Sequence, residues 1–227
     1  MIKKVTYKEQ VYQYLKRAII DGTIKAGTIY SEQMIADRLQ VSRTPVREAI
    51  LQLRNEMLVE VYNNRGFGVR PVSPEDIRQI IQARIAIESY SLCRLAKGIH
   101  TPEGQKALTE MEHCLKDKMA NLSQGDDHYQ FMQADMEFHE ISILFTNNVY
   151  FTGMHRMMQA QLERVTVSSL LDRGRHIAAL QEHEAIFWEL QKGNSEGAVS
   201  ALEHHMKRTE ELLGSRMVDA GTKEYGG

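Results

Sequence analysis

The sequence predicts a mainly α-helical protein with an N-terminal winged helix-turn-helix and a C-terminal all-α bundle of about six or seven helices. Three observations lead to this prediction. Residues 1–72 combine three short helical patterns with one hairpin pattern, residues 73–216 show helical patterns only, and the two parts differ in charge. The first part carries 12 basic and 7 acidic residues, a net of +5, and the remainder carries 16 basic and 23 acidic residues, a net of −7. This split favours a small anion-binding module joined to an acidic domain.

Three helices are predicted in the basic part. Residues 7–21 place apolar side chains at helical spacing. In "SEQMIADRLQ", Ser31 is a typical N-cap residue, and in "TPVREAILQLRNEM", Thr44 is the predicted N-cap with Pro45 as the first helical residue. Two short helices joined by the turn "VSR" are typical of a helix-turn-helix.

A hairpin pattern follows the third helix. Residues 58–62 and 68–72 are predicted strands, and residues 63–66 form the predicted tip, where asparagine and glycine tolerate positive φ. Arg65 at this tip is expected to point into a groove of the partner. A helix-turn-helix followed by such a hairpin is a winged helix-turn-helix.

Two arginines lie at the start of the third helix, where the helix macrodipole disfavours positive charge. Arg43 precedes the predicted first turn and Arg47 projects from it. Phosphates and guanine edges would explain this placement, since both accept hydrogen bonds from arginine. The alternative is an ordinary solvated face. The order of three helices, a basic helix start and an arginine-glycine hairpin favours DNA binding.

Residues 7–72 resemble the DNA-binding domain of GntR-type transcription regulators, and "VSRTPVREAI" is among their more specific signatures. The resemblance implies contacts with operator phosphates and bases and, from the wing, with the minor groove. The residues implied in the first set are Ser42, Arg43, Thr44 and Arg47, and those in the wing are Arg65 and Gly66. Gln33 stands where many relatives carry an arginine; its amide can still donate to a phosphate but lacks the charge.

The C-terminal part begins after Pro71. In "SPED", Ser73 is the predicted N-cap and Pro74 the first helical residue. Helical patterns then follow at residues 74–97, 102–122, 126–146, 148–171, 176–192 and 195–214. Residues 73–216 are therefore expected to form one all-helical domain, and residues 217–227 a disordered tail.

Helical phase directs several polar side chains toward the inside of this bundle. His183 and His205 lie at the centres of two apolar stripes, and Asp135 and His139, four residues apart, lie along the edge of a third. One divalent ion would satisfy all four groups, and three nitrogens with one carboxylate suit Zn²⁺, Ni²⁺ or Mn²⁺. The alternative is a set of core histidines satisfied by protein partners. The histidines predicted at the surface are His113, His128, His155 and His176.

Two stretches of the C-terminal part resemble the FCD effector domain of the FadR-like branch of GntR regulators. These are "ADMEFHEIS" and "QEHEAIFWELQKGNSEGAVSALEHHMKR". The resemblance implies that Asp135, His139, His183 and His205 are metal ligands, and that the metal helps to hold a small organic acid in the centre of the bundle.

Arg84 is the main candidate for binding the carboxylate of such an acid. It lies on the inward side of "DIRQIIQARIAIE" and could clamp a carboxylate with two parallel hydrogen bonds. An i,i+4 salt bridge with Glu88 is the alternative. Arg164 is a weaker candidate of the same type.

These observations predict a ligand-responsive transcription regulator, in particular a repressor, that binds a pseudo-palindromic operator as a homodimer. The effector is expected to change the relative orientation or freedom of the domains. A metal sensor without an organic effector is one alternative. A metalloenzyme with a DNA-binding module is another, but no His-Glu-x-x-His motif supports it and no catalytic residue is predicted.

Composition excludes several other classes of protein. No apolar run approaches the ~20 residues that span a bilayer, and no signal-peptide pattern follows the N-terminus. Cys93 and Cys114 form neither a disulfide framework nor a zinc-binding spacing. We therefore expect a cytoplasmic protein with reduced thiols.

Overall fold

The computed structural model of the chain describes residues 6–63, 65–123, 128–169 and 173–224, and its description of side chains leaves out residues 128, 164–169, 173–174 and 215–224. The chain forms two compact units. The first comprises Met1–Val72 with Ala160–Arg164, and the second comprises Ser73–Gln159 with Val165–Gly227. The predicted fold class is confirmed, because helices and a small sheet form the first unit and helices form the second.

The first unit has three helices and three short strands in the described part of the chain. Helix α3 packs against both α1 and α2. Their contact faces and the strands enclose a core that includes Leu15, Ile35, Val46, Leu53 and Phe67. The elements are α1 (Tyr7–Ile20), β1 (Ile29–Tyr30), α2 (Glu32–Leu39), α3 (Arg43–Asn55), β2 (Val59–Tyr62) and β3 (Gly66–Val69).

The helix starts follow one prediction and depart from another. Ser31 caps α2 as predicted, because its hydroxyl accepts a hydrogen bond from the N–H of Met34 at 3.1 Å. The prediction for α3 was wrong: Ser42, not Thr44, is its N-cap, and Thr44 is already helical. Pro45 does not prevent this, because the first amides of a helix have no partner within the helix and a proline in the first turn therefore costs no hydrogen bond.

The wing is a hairpin whose second strand begins earlier than predicted. The sheet is antiparallel with the order β1-β3-β2, and Tyr62 pairs with Gly66. Gly66 is therefore the first residue of β3 rather than part of the tip, and its φ is +114°. A Cβ at this position would lie 2.1 Å from the carbonyl oxygen of Tyr30. Only glycine fits here without a shift of the backbone.

The second unit is helical throughout its described residues. Its elements are α4 (Pro74–Gly98), α5 (Pro102–His113), a π-helical segment (Cys114–Met119), α6 (Ala120–Leu122), α7 (His128–Phe145), α8 (Val149–Ser169), α9 (Arg173–Gln191) and α10 (Ser195–Glu224). Helix α10 is longer than predicted and enters the segment 217–227 that was expected to be disordered. The glycines in this stretch weaken a helix by about 1 kcal/mol each but need not end it.

The helices that carry the polar candidates are neighbours in this unit. Helix α4 packs against α7 and α10, and α9 packs against α10. Helix α4 begins as predicted with a capping box, in which Ser73 and Asp76 each accept a hydrogen bond from the other's backbone N–H. Among the described helices, none combines the length and the apolar character needed to cross a membrane.

Candidate nucleic-acid interface and metal centre

The candidate DNA-contacting side chains of the first unit are exposed. Ser42 caps α3 without a side-chain hydrogen bond to the helix, so its hydroxyl is not used by the cap. The amide of Gln33 donates to Asp37 at 2.7 Å. The exposed candidates are Gln33, Ser42, Arg43, Thr44, Arg47 and Arg65.

A groove of about 560 Å³ lies between the starts of α2 and α3 on one side and the wing on the other. Arg43 and Arg47 line one side, and Arg65 and Gly66 line the other. Glu32, which the sequence reasoning did not consider as a contact residue, lies in the same groove and pairs with both arginines of α3. The structure thus brings Gln33 and the two arginines of α3 to one basic groove with the wing residues, whereas Ser42 and Thr44 are exposed but do not line it.

The second unit brings the four predicted ligands to one point. One ligand atom from each of Asp135, His139, His183 and His205 lies within 4.8 Å of the other three, and the three histidines are buried. The ring centroids of these histidines are 4.4 to 5.1 Å apart. Helix α7 supplies the first two residues, α9 supplies His183 and α10 supplies His205.

Each imidazole has a partner at the nitrogen Nδ1. His183 donates from Nδ1 to the carbonyl oxygen of Ala179 at 2.6 Å, and His205 donates from Nδ1 to Glu182 at 2.7 Å. Nδ1 of His139 lies 2.7 Å from an oxygen of Glu88. The nitrogen Nε2 of His183 and of His205 is therefore left as the lone-pair donor, which is the arrangement found around metal-bound histidines.

The short distances at the centre fit one shared cation. Nε2 of His183 lies 3.0 Å from Nε2 of His139 and 3.3 Å from Oδ1 of Asp135. Two ligands about 2.1 Å from the same ion lie roughly 3.0 to 3.4 Å apart. A proton on one of the two facing nitrogens would also satisfy that pair, but it would leave the remaining groups without a common partner.

The electrostatics favour neutral His139 and His183 and an ionised Asp135. Burial lowers the pKa of His183 to about 4 and lowers the pKa of His139 well below its ordinary value. Burial acts to raise the pKa of Asp135, but its electrostatic interactions with His183, His139, His205 and Arg84 outweigh burial and hold that pKa below its ordinary value. Neutral imidazoles and an ionised carboxylate are the forms that bind metal ions.

Two glutamates contact histidines of the cluster, and the sequence predicted neither of these contacts. Glu182, which contacts His205, also forms two hydrogen bonds with Arg175 at 2.7 and 3.0 Å. Burial alone would raise the pKa of Glu182, but the hydrogen bonds from His205 and Arg175 lower it to about 2. Glu88, which contacts His139, is almost completely buried. Both carboxylates contact Nδ1 atoms and leave Nε2 to the centre of the cluster, so they help to fix the orientation of the rings.

Arg84 forms the salt bridge that the sequence offered as one alternative. Its Nε donates to Glu88 at 2.7 Å, and both side chains are buried. Its Nη2 is also buried and has no hydrogen-bond partner among the described residues. Glu88 contacts both Arg84 and Nδ1 of His139, so the guanidinium lies close to the cluster. The side chain of Arg164, the weaker candidate, lies outside the described residues.

The surface prediction was wrong for two histidines. His155 and His176 are buried, whereas His113 is exposed and the side chain of His128 lies outside the described residues. His176 stacks on Phe131 with 4.2 Å between the ring centroids. Burial lowers the pKa of His155 to about 4, and its Nδ1 has no hydrogen-bond partner in the described part of the chain.

Helical spacing would have identified both of these buried histidines. His155 lies four residues after Phe151 and three before Met158, which both pack in one apolar cluster. His176 lies one turn before the buried Ala179. The same phase argument that selected His183 applies to them, but glycines and polar residues nearby weakened the pattern.

The fold and these two sites define a class of protein: a winged helix-turn-helix module on a helical domain that holds a histidine and aspartate cluster. Family models agree with this class. Residues 7–69 match the model for bacterial regulatory proteins of the gntR family, and residues 79–208 match the FCD domain model. The chain belongs to the GntR family of transcription regulators and carries an FCD domain. It is a DNA-binding regulator and not an enzyme.

Individual relatives agree with this assignment. The chain is 26% identical over 196 residues to the uncharacterized regulator YdhC of Bacillus subtilis, covering 86% of each chain. It is 27% identical over 207 residues to the transcriptional repressor RspR of Escherichia coli, covering 90% of this chain and 88% of the relative. The solved structure of McbR/YncC from E. coli shares the fold with a TM-score of 0.78 and 20% identity, covering 94% of this chain and 100% of that one.

Proposed function

We propose that this protein is a repressor that binds a pseudo-palindromic operator as a homodimer in the cytoplasm, and whose DNA affinity depends on a small organic acid held beside a divalent metal ion. The observation that supports this most is the convergence of three buried imidazoles and one carboxylate, with ligand atoms within 4.8 Å of one another. Repression is supported by the relative RspR, which is named as a repressor.

The ion would be held by Asp135 and by the Nε2 atoms of His139, His183 and His205. This donor set fits Zn²⁺, Ni²⁺ or Mn²⁺, because imidazole and carboxylate ligands suit all three. When bound, a six-coordinate ion would offer positions that the protein does not fill, and an acid could occupy them with a carboxylate oxygen. The protein's part is to orient the rings, exclude water and keep His139 and His183 neutral.

Arg84 is the proposed second contact for the acid, with Arg164 as a further candidate. The buried Nη2 of Arg84 needs an acceptor, and its Nε is already engaged by Glu88. A buried N–H without an acceptor costs about 1–3 kcal/mol, so a carboxylate that supplies one gains affinity here. The effector must bind two states of the protein with different affinity, since otherwise it shifts no equilibrium.

The homodimer is supported by exposed apolar side chains in the second unit. Val149 and Tyr150, at the start of α8, are 76% and 79% exposed, and Met154 follows them on the same helix. Tyr90 of α4 is half exposed and contacts Phe151 edge to face, with 5.4 Å between the ring centroids. Side chains of this kind are commonly covered by another protein chain, and we assign them to the contact with a second copy.

The test is a titration of DNA affinity with candidate acids. The probe is the duplex most enriched from a random pool by the metal-loaded protein, and the acids are small mono- and dicarboxylic acids with and without hydroxyl groups. At fixed salt, we expect at least one acid to lower the affinity of the wild-type protein but not that of Arg84→Lys, which keeps the charge and loses the planar guanidinium. Arg94→Lys, an exposed arginine on the same helix, is the matched control.

Two other outcomes would contradict parts of this proposal. If no acid changes the affinity while the metal does, the protein is a metal sensor without an organic effector. If neither acid nor metal changes the affinity, the cluster has no regulatory role. A response that persists in Arg84→Lys would remove that residue from the effector site.

A further inference from the structure

One acidic side chain, that of Glu32, lies in the basic groove of the first unit. Glu32, the first residue of α2, contacts two arginines of α3 that lie 11 and 15 residues further along the chain. Nη2 of Arg43 donates to its Oε2 at 3.2 Å, and Nε of Arg47 lies 3.3 Å from both of its oxygens. One carboxylate therefore holds the two guanidiniums that the operator would meet.

The exposure of the three side chains differs in an informative way. The side chain of Glu32 is 14% exposed, whereas those of Arg43 and Arg47 are 57% and 63% exposed. The carboxylate is thus more shielded from solvent than the two guanidiniums that it contacts. Its contacts use Nε and Nη2 of Arg47 and Nη2 of Arg43, so Nη1 of each guanidinium is not used in them.

A carboxylate in this place has opposite effects on two kinds of DNA binding. It cancels part of the positive charge that attracts phosphates, which weakens binding to any sequence. It also restricts two long side chains to one arrangement, which lowers the entropy lost when they bind base edges. Weak binding to random DNA together with arginines that are already oriented increases the discrimination between an operator and other sequences.

We propose that Glu32 is a positioning residue that holds Arg43 and Arg47 in the orientation in which they recognise operator bases, and thereby sets the ratio of operator affinity to random-sequence affinity. This role rests on the proposed function and on the operator contacts that the resemblance to GntR regulators implies for these two arginines. A purely structural role is the competing explanation, because a glutamate in the first turn of a helix stabilises it through the macrodipole.

The variant Glu32→Asp separates these two roles. An aspartate keeps the negative charge in the first turn of α2, but it is one methylene shorter and reaches the two guanidiniums less well. The probes are the duplex of about 30 base pairs enriched from a random pool by the wild-type protein and a random-sequence duplex of the same length. We expect Glu32→Asp to lose about tenfold in operator affinity, with an unchanged thermal midpoint and unchanged affinity for the random duplex.

The variant Glu32→Gln tests the charge. We expect it to bind the random duplex more tightly than the wild-type protein. The slope of log affinity against log salt concentration should become steeper by about 0.9 for each phosphate that a released arginine contacts. Its operator affinity should fall, so that the affinity ratio decreases. Glu48→Gln, an exposed glutamate on α3, is the matched control, because the same charge change should raise both affinities and leave the ratio unchanged.

Failure of this inference differs from failure of the proposed function. If Glu32→Asp keeps the wild-type ratio and Glu32→Gln behaves like Glu48→Gln, then Glu32 only stabilises its helix and the inference is wrong. If the wild-type protein does not discriminate any duplex from random DNA, or if Arg47→Ala discriminates as well as the wild type, then the proposed DNA contacts themselves are wrong.

Discussion

Single residues outside the ligand set determine which nitrogen of each histidine is free. Glu182 accepts a hydrogen bond from His205, and it is itself held by Arg175. Because Glu182 is ionised, it can only accept, and the proton must therefore lie on Nδ1 of His205. The orientation of His205, a candidate metal ligand, thus depends on a residue that is not itself a candidate ligand.

Replacement of Glu182 by glutamine tests this dependence. The amide lacks the negative charge and can rotate to place its NH₂ group toward His205, so we expect the metal affinity to fall about tenfold to 100-fold. Glu184→Gln is the matched control, since it removes the same charge from an exposed position on the same helix. Calorimetric titration with Ni²⁺ measures both variants. Equal affinities for the two would show that Glu182 does not position the ligand.

The sequence predicted the members of the cluster but not their supports. Periodicity specifies which side of a helix faces inward, and this was enough to select His183 and His205. It does not specify which residue of another helix lies behind each ring. Glu88 on α4 contacts His139 on α7, and Glu182, although next to His183 in the chain, contacts His205 on α10. Both roles therefore depend on how α4 packs on α7 and how α9 packs on α10.

At the scale of elements, local signals predicted helix starts better than strand positions. Ser31 and Ser73 cap their helices as predicted, because an N-cap depends on residues within one turn. The two-residue strand β1 was not predicted, and β3 begins two residues earlier than expected. Such short strands exist because of their partners, and a single sequence contains little information about that pairing.

The wing depends on a glycine for steric reasons, and a pair of substitutions measures this. Gly66→Ala would bring a Cβ to 2.1 Å from the carbonyl oxygen of Tyr30, while Gly22→Ala, also at positive φ, meets nothing within 4 Å. We expect Gly22→Ala to cost about 1–2 kcal/mol of unfolding free energy through strain alone. Gly66→Ala should cost clearly more, because the strand must shift as well. Urea unfolding followed by circular dichroism compares the two, and equal costs would contradict the close approach.

At the scale of the whole molecule, the chain divides into two units with different chemistry. Residues 1–72 carry a net charge of +5 and the remainder a net of −7, so the charge distribution favoured the same partition as the helical and hairpin patterns. Each unit has its own buried apolar residues, including Leu53 and Phe67 in the first and Phe138 and Leu190 in the second. The candidate metal ligands belong to the second unit only, and the single tryptophan, Trp188, belongs to that unit as well.

This distribution allows the effect of metal on one unit to be measured within the intact protein. A ligand that binds only the folded state stabilises it by about 2.7 kcal/mol at 100 times its dissociation constant. We therefore expect Zn²⁺, Ni²⁺ or Mn²⁺ to raise the urea midpoint reported by Trp188 fluorescence, and a chelator to reverse the shift. Asp135→Asn keeps the size of the side chain and removes the charged ligand, so its midpoint should respond much less. A wild-type midpoint that no metal changes would mean that the three imidazoles satisfy one another within the core, and that their convergence has no role in holding an ion.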